Sequence, residues 1–376
     1  MRTRSLLMTT LCSLMLGMGF TACSDDDENE PSNPNTNQPE LPVDPDPVEA
    51  VAFILNEGTW GGNNANISMF HPNQEGLGKA DLYQEVNGTQ LGDLANAMVE
   101  EDDNIYVVLN GSKVVNRLDE ACKNQASYTF PEAEGAPRCI DVEDQYAYVT
   151  QYGGQVSKLN IKDMTLAGTF KGGDNLEGIV EKDGKLYVAN TYTQDGSGNF
   201  VYNKEVFVID AKTMELESTI EVVKNPTKLF EIDDKIYLLS AGNYTDIPGA
   251  LQVINPKTGA CEKIINDANK ITEGNDGLIY GVRSTYDANW QQNNSFFTYN
   301  PSTGAVSETS FLQDAPASLS TAVIYLLEVD EESGHIYVGT SDYTTNGTIY
   351  QFDKSGKLVQ SFDSGGINPS AMVFVD

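Results

Sequence analysis

The sequence predicts an all-β fold, a single seven-bladed β-propeller, and three observations carry that expectation. A short phrase recurs as "DDNIYVVLN", "EDQYAYVTQ", "KDGKLYVAN", "DDKIYLLSA", "NDGLIYGVR" and "ESGHIYVGT", each joining an acidic tight turn to an apolar strand. Its tyrosines, Tyr106, Tyr148, Tyr187, Tyr237, Tyr280 and Tyr337, are spaced by 42, 39, 50, 43 and 57 residues, which suits a four-stranded antiparallel blade with loops of variable length. The first repeat lacks a leading strand, while "NPSAMVFVD" at residues 368–376 is a strand without a blade. Joining the two closes the ring and removes the sheet edges that invite aggregation. A pair of β-sandwiches is the alternative, but it accounts for neither the regular repeat nor the split blade.

The elements follow in order. A basic opening, Met1 to Arg4, precedes an apolar run over residues 6–20 that ends in small residues, the layout of a secretory signal peptide over residues 1–22. Phe20-Thr21-Ala22-Cys23 resembles a bacterial lipobox, which would make Cys23 a lipid attachment point; a simple signal peptide followed by a free cysteine is the alternative. Residues 23–49 form an acidic, Pro-rich tether: nine acids and no Lys or Arg fall between 24 and 50, too little apolar surface to offset ordering entropy. The propeller takes residues 50–376. "AFILNEGTW" and "NISMFHPNQ" supply strands B and C of the first blade, to be completed by the C-terminal strand.

In later blades an apolar strand A precedes each phrase, as at Ala97-Met98-Val99, Cys139 to Val142, Gly178-Ile179-Val180, Lys228-Leu229-Phe230 and Thr321-Ala322-Val323. The phrase is strand B. Strand C ends in turns such as "VIDAKTMEL" and "VINPKTGA", and a more polar strand D follows. The phrase tyrosines alternate with apolar neighbours and are expected between blades, as core.

Composition narrows the function. A formal net charge of -32 argues against nucleic acid, which is held by clustered Lys and Arg. Cys122, Cys139 and Cys261 show neither disulfide-framework nor zinc spacing. His71 and His335 both map to A–B or C–D turns, so no Ser-His-Asp or histidine-metal centre is expected, and the protein reads as a binder without catalytic residues, metal or cofactor.

The B–C connections, on the opposite face, are long, aromatic and amide-rich: "NEGTWGGNNAN", "NTYTQDGSGNFVYNK", "SAGNYTDIPGA", "RSTYDANWQQNNS" and "SDYTTNGT". Rigid aromatic area beside adaptable amides suits recognition. The candidate ligand-binding residues are Asn56, Trp60, Asn64, Asn110, Tyr152, Tyr192, Tyr244, Tyr286, Trp290 and Tyr343, with Arg283 as the cation of a long B–C loop, free to meet an anionic group or a surface acid. Glu57, Asp174, Glu177, Asp195, Asp246, Asp287 and Asp342 on that face read as solvated loop acids, since no spacing singles out a pair.

The "FILNEGTWGGNNANISMF" opening, the IYV-type strands, the lipobox and the Ser24 to Glu28 acid cluster together resemble the YncE-like propeller lipoproteins of Bacteroidetes, including the cobalamin-binding BtuG-type proteins. The resemblance implies a lipid-anchored protein on the outer face of the outer membrane. It would capture cobalamin or another corrinoid as a transported ligand and pass it to a TonB-dependent transporter of the BtuB type. A bulky, amide-fringed, nearly neutral ligand is compatible with the aromatic, Asn-rich rim. A glycan-binding propeller, a metal-assisted lyase or lactonase, and an adhesive surface-layer protein are the competing expectations.

Overall fold

A computed structural model describes residues 51–287, 289 and 291–375; the signal peptide, Cys23, the tether and Trp290 lie outside the described residues. Blade 1 contains β1 (Val51–Asn56) and β2 (Asn66–Phe70). Blade 2 follows as β3 (Ala95–Glu101), β4 (Asn104–Leu109), β5 (Val114–Asp119) and β6 (Asn124–Thr129), and blade 3 as β7 (Pro137–Glu143), β8 (Tyr146–Gln151), β9 (Gln155–Asn160) and β10 (Thr165–Lys171). Blade 4 is β11 (Asn175–Lys182), β12 (Lys185–Gln194), β13 (Phe200–Asp210) and β14 (Leu216–Glu221); blade 5 is β15 (Pro226–Ile232), β16 (Lys235–Ser240), β17 (Ala250–Ile254) and β18 (Cys261–Asn266). Blade 6 is β19 (Ala268–Glu273), β20 (Ile279–Tyr286), β21 (Gln292–Asn300) and β22 (Ala305–Ser307). Blade 7 is β23 (Val323–Val329), β24 (Ile336–Ser341), β25 (Asn346–Phe352) and β26 (Leu358–Ile367), after which β27 (Pro369–Val375) returns to blade 1.

Among the described residues this makes a seven-bladed β-propeller, with β27 antiparallel to β1 from Val375 opposite Val51 to Pro369 opposite Asn56. Strands A (β27, β3, β7, β11, β15, β19 and β23) sit innermost, each contacting the neighbouring blade, so they surround the central channel. The tight A–B turns are made by acids that tolerate left-handed backbone: Asp102, Asp103, Asp144, Asp183 and Asp233 have φ of 50°, 60°, 55°, 53° and 55°.

Ring closure goes beyond one strand pair. Ser364 and Gly365 of β26 offer their carbonyls to Ser68 (2.6 Å) and Asn66 (2.9 Å) of blade 1, and Asn368 donates to the Gly58 carbonyl at 3.0 Å. The phrase tyrosines pack between blades as expected; Tyr280 does so while only half-buried, against the cluster of blades 6 and 7, and its hydroxyl reaches Asp276 at 3.0 Å. Where blade 1 has Ala52 in the tyrosine position, Phe374 stands opposite it and packs on Tyr337 at 5.4 Å.

Three details depart from the expected pattern. Blade 1 has three strands, its fourth reduced to a single bridge between Met69 and Lys79; Pro72, Gly76 and Gly78 break the segment, and α1 (Leu82–Asn87) follows. That helix is capped by Asp81, which accepts from the Gln84 N–H, and stopped by Gly88 at φ 70°. Strand A of blade 7 begins at Val323, because a turn of 3₁₀-helix occupies Ala317–Ser320. The supposed loops at Tyr192, Tyr202 and Tyr286 are strand: β12 with β13, and β20 with β21, extend into hairpin arms in which Tyr192 faces Tyr202 and Tyr286 faces Gln292.

Candidate functional site at the channel mouth

Every strand A carries a bulge or register shift near its start, at Asn96, Arg138–Cys139, Glu177–Gly178, Thr227, Asn269, Tyr325 and Ser370. A bulge breaks strict alternation and re-aims a side chain. Here the result is a polar cluster that passes from blade to blade around the channel mouth.

Tyr325 of blade 7 donates to the Glu57 carboxylate, which also accepts from the Asn96 amide. The Arg138 guanidinium donates to the Asn96 carbonyl oxygen at 3.0 Å and pairs with Glu177 of blade 4 at 3.1 Å. Glu177 in turn accepts from the Tyr152 hydroxyl at 2.5 Å, and the guanidinium lies 4.7 Å from the Tyr152 ring centre. Blades 5 and 6 add Lys228 and Lys270; the Lys270 ammonium is 5.8 Å from the Tyr325 ring centre. Deeper in the channel Thr272 donates to Glu328 at 2.7 Å.

The protonation equilibria follow from this packing. Burial raises the Glu57 carboxyl, opposed by the Tyr325 hydrogen bond and by Arg138, Lys228 and Lys270. Burial, with help from Lys228, pushes Lys270 down to about 7 against the pull of Glu57. Burial likewise lifts Glu328 to about 7 despite its Thr272 bond. Burial and the adjacent carboxylates raise Tyr325 and Tyr152, and burial raises the Cys139 thiol to about 11. Cys122, Cys139 and Cys261 are free thiols.

Above this floor stands an arc of aromatic rings. Tyr152 meets Tyr192 at 6.1 Å, Tyr192 meets Phe200 at 5.1 Å, Tyr202 meets Tyr244 at 5.6 Å, and Tyr325 meets Tyr343 at 5.9 Å. Tyr244, Tyr286 and Tyr343 are exposed to 66%, 60% and 54%, aromatic surface of the kind that marks recognition sites. Tyr343 packs on Tyr325, which donates to Glu57, and Tyr192 on Tyr152, which donates to Glu177, so the arc is joined to the polar floor. Trp60, 73% exposed, stands at the tip of the first B–C loop, whose shape is held by Asn64 accepting from the Thr59 N–H at 2.9 Å and Asp93 accepting from the Gly61 N–H at 3.0 Å.

The expected site residues therefore divide. Tyr152, Tyr192, Tyr244, Tyr286 and Tyr343 belong to the mouth and its arms, and Trp60 to the rim. The amides Asn56, Asn64 and Asn110 serve the scaffold: Asn56 is buried against Ser68 (2.7 Å) and the Ser364 carbonyl (3.1 Å), and Asn110 is buried against the Pro137 carbonyl at 2.9 Å. For Arg283 the loop placement is corrected, and of its two expected partners the surface acid is the one found. It lies in strand β20 rather than a loop, and it faces Glu308 at 3.0 Å and Asp267 at 4.0 Å. Glu57 and Glu177 are not solvated loop acids but members of the buried network. Arg138, Lys228, Lys270 and Tyr325 went unassigned to the site; their signal was a polar or aromatic residue at the start of each otherwise apolar strand A.

A shallow pocket of about 310 Å³ at blade 6, lined by residues including Phe296, Glu308 and Leu319, shares no lining residue with this cluster. Among the described residues no group of His, Cys, Asp and Glu is placed to hold a metal ion, and no helix is long and apolar enough to cross a membrane.

No protein-family model and no curated protein matches the chain. Solved structures do. A functionally unknown protein from Desulfotomaculum acetoxidans is 12% identical over 86% of this chain and 98% of its own, with a TM-score of 0.57. The RRP9 WD40 repeats are 12% identical over 76% and 84% with a TM-score of 0.54, and streptogramin B lyase is 14% identical over 72% and 82% with a TM-score of 0.52. At these identities the likeness shows the fold alone. The chain is thus a seven-bladed β-propeller closed by its C-terminal strand, with a charged channel floor and an aromatic mouth.

Proposed function

We propose that this protein is a YncE-like, BtuG-type surface lipoprotein, anchored to the outer membrane through Cys23, that captures cobalamin or a related corrinoid and passes it to a TonB-dependent transporter. The observation that carries this reading is the set of exposed tyrosines, Tyr244, Tyr286 and Tyr343, standing around a mouth floored by polar groups. A corrinoid offers a broad ring for such contacts and amide side chains for the surrounding donors and acceptors, and it demands little charge matching. The protein is a binder in this reading, with no covalent step.

The test is calorimetric titration of the purified full chain with cobalamin, beside a panel of oligosaccharides. Saturable binding of cobalamin at micromolar concentration or tighter is expected, weakened about tenfold or more by Tyr244→Ala with Tyr286→Ala, since hot-spot aromatics commonly carry that much. Saturation by an oligosaccharide with no heat from cobalamin would replace the corrinoid with a glycan. Cys23→Ser is expected to abolish incorporation of labelled fatty acid and release the protein from the membrane fraction.

A further inference from the structure

We propose that Lys228 and Lys270 form an anion subsite at the channel mouth, which takes one singly charged oxyanion group, a carboxylate or phosphodiester, of the bound ligand. The two lysines occupy matched positions on neighbouring blades. Each follows the bulge of its strand A, Lys228 opposite Leu239 and Lys270 opposite Val282. Among the described residues neither lysine has a carboxylate within salt-bridge distance.

The nearby acids are already engaged. Glu57, whose charge reaches both lysines, is hydrogen-bonded by Tyr325 and Asn96, and Glu177 is held by Arg138 and Tyr152. Where Lys270 is protonated and Glu328, held by Thr272 and raised to about 7, keeps its proton, Arg138, Lys228 and Lys270 set against Glu57 and Glu177 leave one positive charge in excess, inside a chain of formal net charge -32. A half-buried ammonium without an acid partner is unfavourable. The groups facing Lys270 are Lys228 from β15, Glu57 from the first loop and Tyr325 from β23, and the repulsion from Lys228 adds to burial in drawing Lys270 down to about 7. An arriving anion offsets both penalties at once. Lys228 is exposed, so the pair is reachable from the mouth.

The subsite rests on the charged cluster and stands apart from the corrinoid reading; if that reading holds, the nucleotide phosphodiester of cobalamin is the group it takes. The test follows lysine side-chain resonances of the ¹³C-lysine-labelled full chain, assigned with Lys228→Met and Lys270→Met, during titration with dimethyl phosphate or acetate and with neutral trimethyl phosphate. Saturable shifts at Lys228 and Lys270 with the two anions alone are expected, and Lys270→Met is expected to weaken the response of Lys228 about tenfold. Unsaturable shifts shared with an exposed residue such as Lys257 would overturn the subsite. In corrinoid titrations the double Lys→Met variant is expected to lose affinity for cobalamin but not for a corrinoid lacking the nucleotide phosphate. Equal cobalamin affinity in wild type and double variant sinks the subsite and leaves the corrinoid reading standing; saturable lysine shifts without cobalamin binding do the reverse.

Discussion

Tyr244 and Tyr343 hold left-handed backbone, φ 58° and 65°, a conformation that costs a bulky L-residue roughly 1–2 kcal/mol. Strain of this kind gathers where a side chain must point somewhere particular. Tyr343→Gly relieves the strain but loses the ring contact with Tyr325, so urea unfolding is expected to move by less than about 1 kcal/mol while ligand affinity falls. Arg138 behaves oppositely. Arg138→Met strands the Glu177 carboxylate in a mostly buried site and is expected to cost about 3 kcal/mol, part of which returns in the double variant with Glu177→Gln. At this scale the sequence was half legible. Exposed tyrosines stood out by type and loop position, but an asparagine that binds ligand and one that pins a neighbouring blade look identical until their partners are known, as Asn110 and its Pro137 carbonyl illustrate.

Strands and turns were far more legible, because alternation and acidic tight turns are local signals. The repeated phrase marks strand B in six blades, and the turn acids sit where positive φ is required. What the pattern missed was the continuation of β12, β13, β20 and β21 into arms, since their polar outer residues read as loop once core contact ends. The bulges of the strands A were equally hidden, being defined by register against a partner. The closing strand β27 completes blade 1 by pairing with β1. Val373 is buried opposite Phe53, so Val373→Asp places an unpaired charge in the closure and is expected to destabilise by about 3 kcal/mol or more in urea. Val359→Asp, at an exposed position of β26, is the matched control and is expected to stay within about 0.5 kcal/mol.

For the molecule as a whole, the channel makes stability depend on pH in two opposed directions. Glu328 is raised from 4.5 to about 7, so across that interval the folded chain keeps a proton that the unfolded chain has released, and its contribution to stability is lost as pH rises. Lys270 is lowered from 10.5 to about 7, so between those values the unfolded chain holds the extra proton and stability rises with pH. Together they place a local minimum near pH 7. Measured from pH 5 to 9 by urea unfolding, Glu328→Gln is expected to flatten the acid arm and Lys270→Met the alkaline arm, each relative to wild type.

Fold class, blade number and ring closure were written in the sequence, because a repeat with one strand too few at its start and one too many at its end has a single simple solution, and hydrophobic alternation is a local property. The channel floor was decided by tertiary structure. Glu57, Asn96, Arg138, Glu177, Lys228, Lys270 and Tyr325 are scattered over 269 positions from Glu57 to Tyr325, and only ring closure brings the first blade beside the seventh. Their charges then act through a partly buried space where desolvation sets the protonation state, and desolvation is a property of packing that no stretch of sequence carries alone.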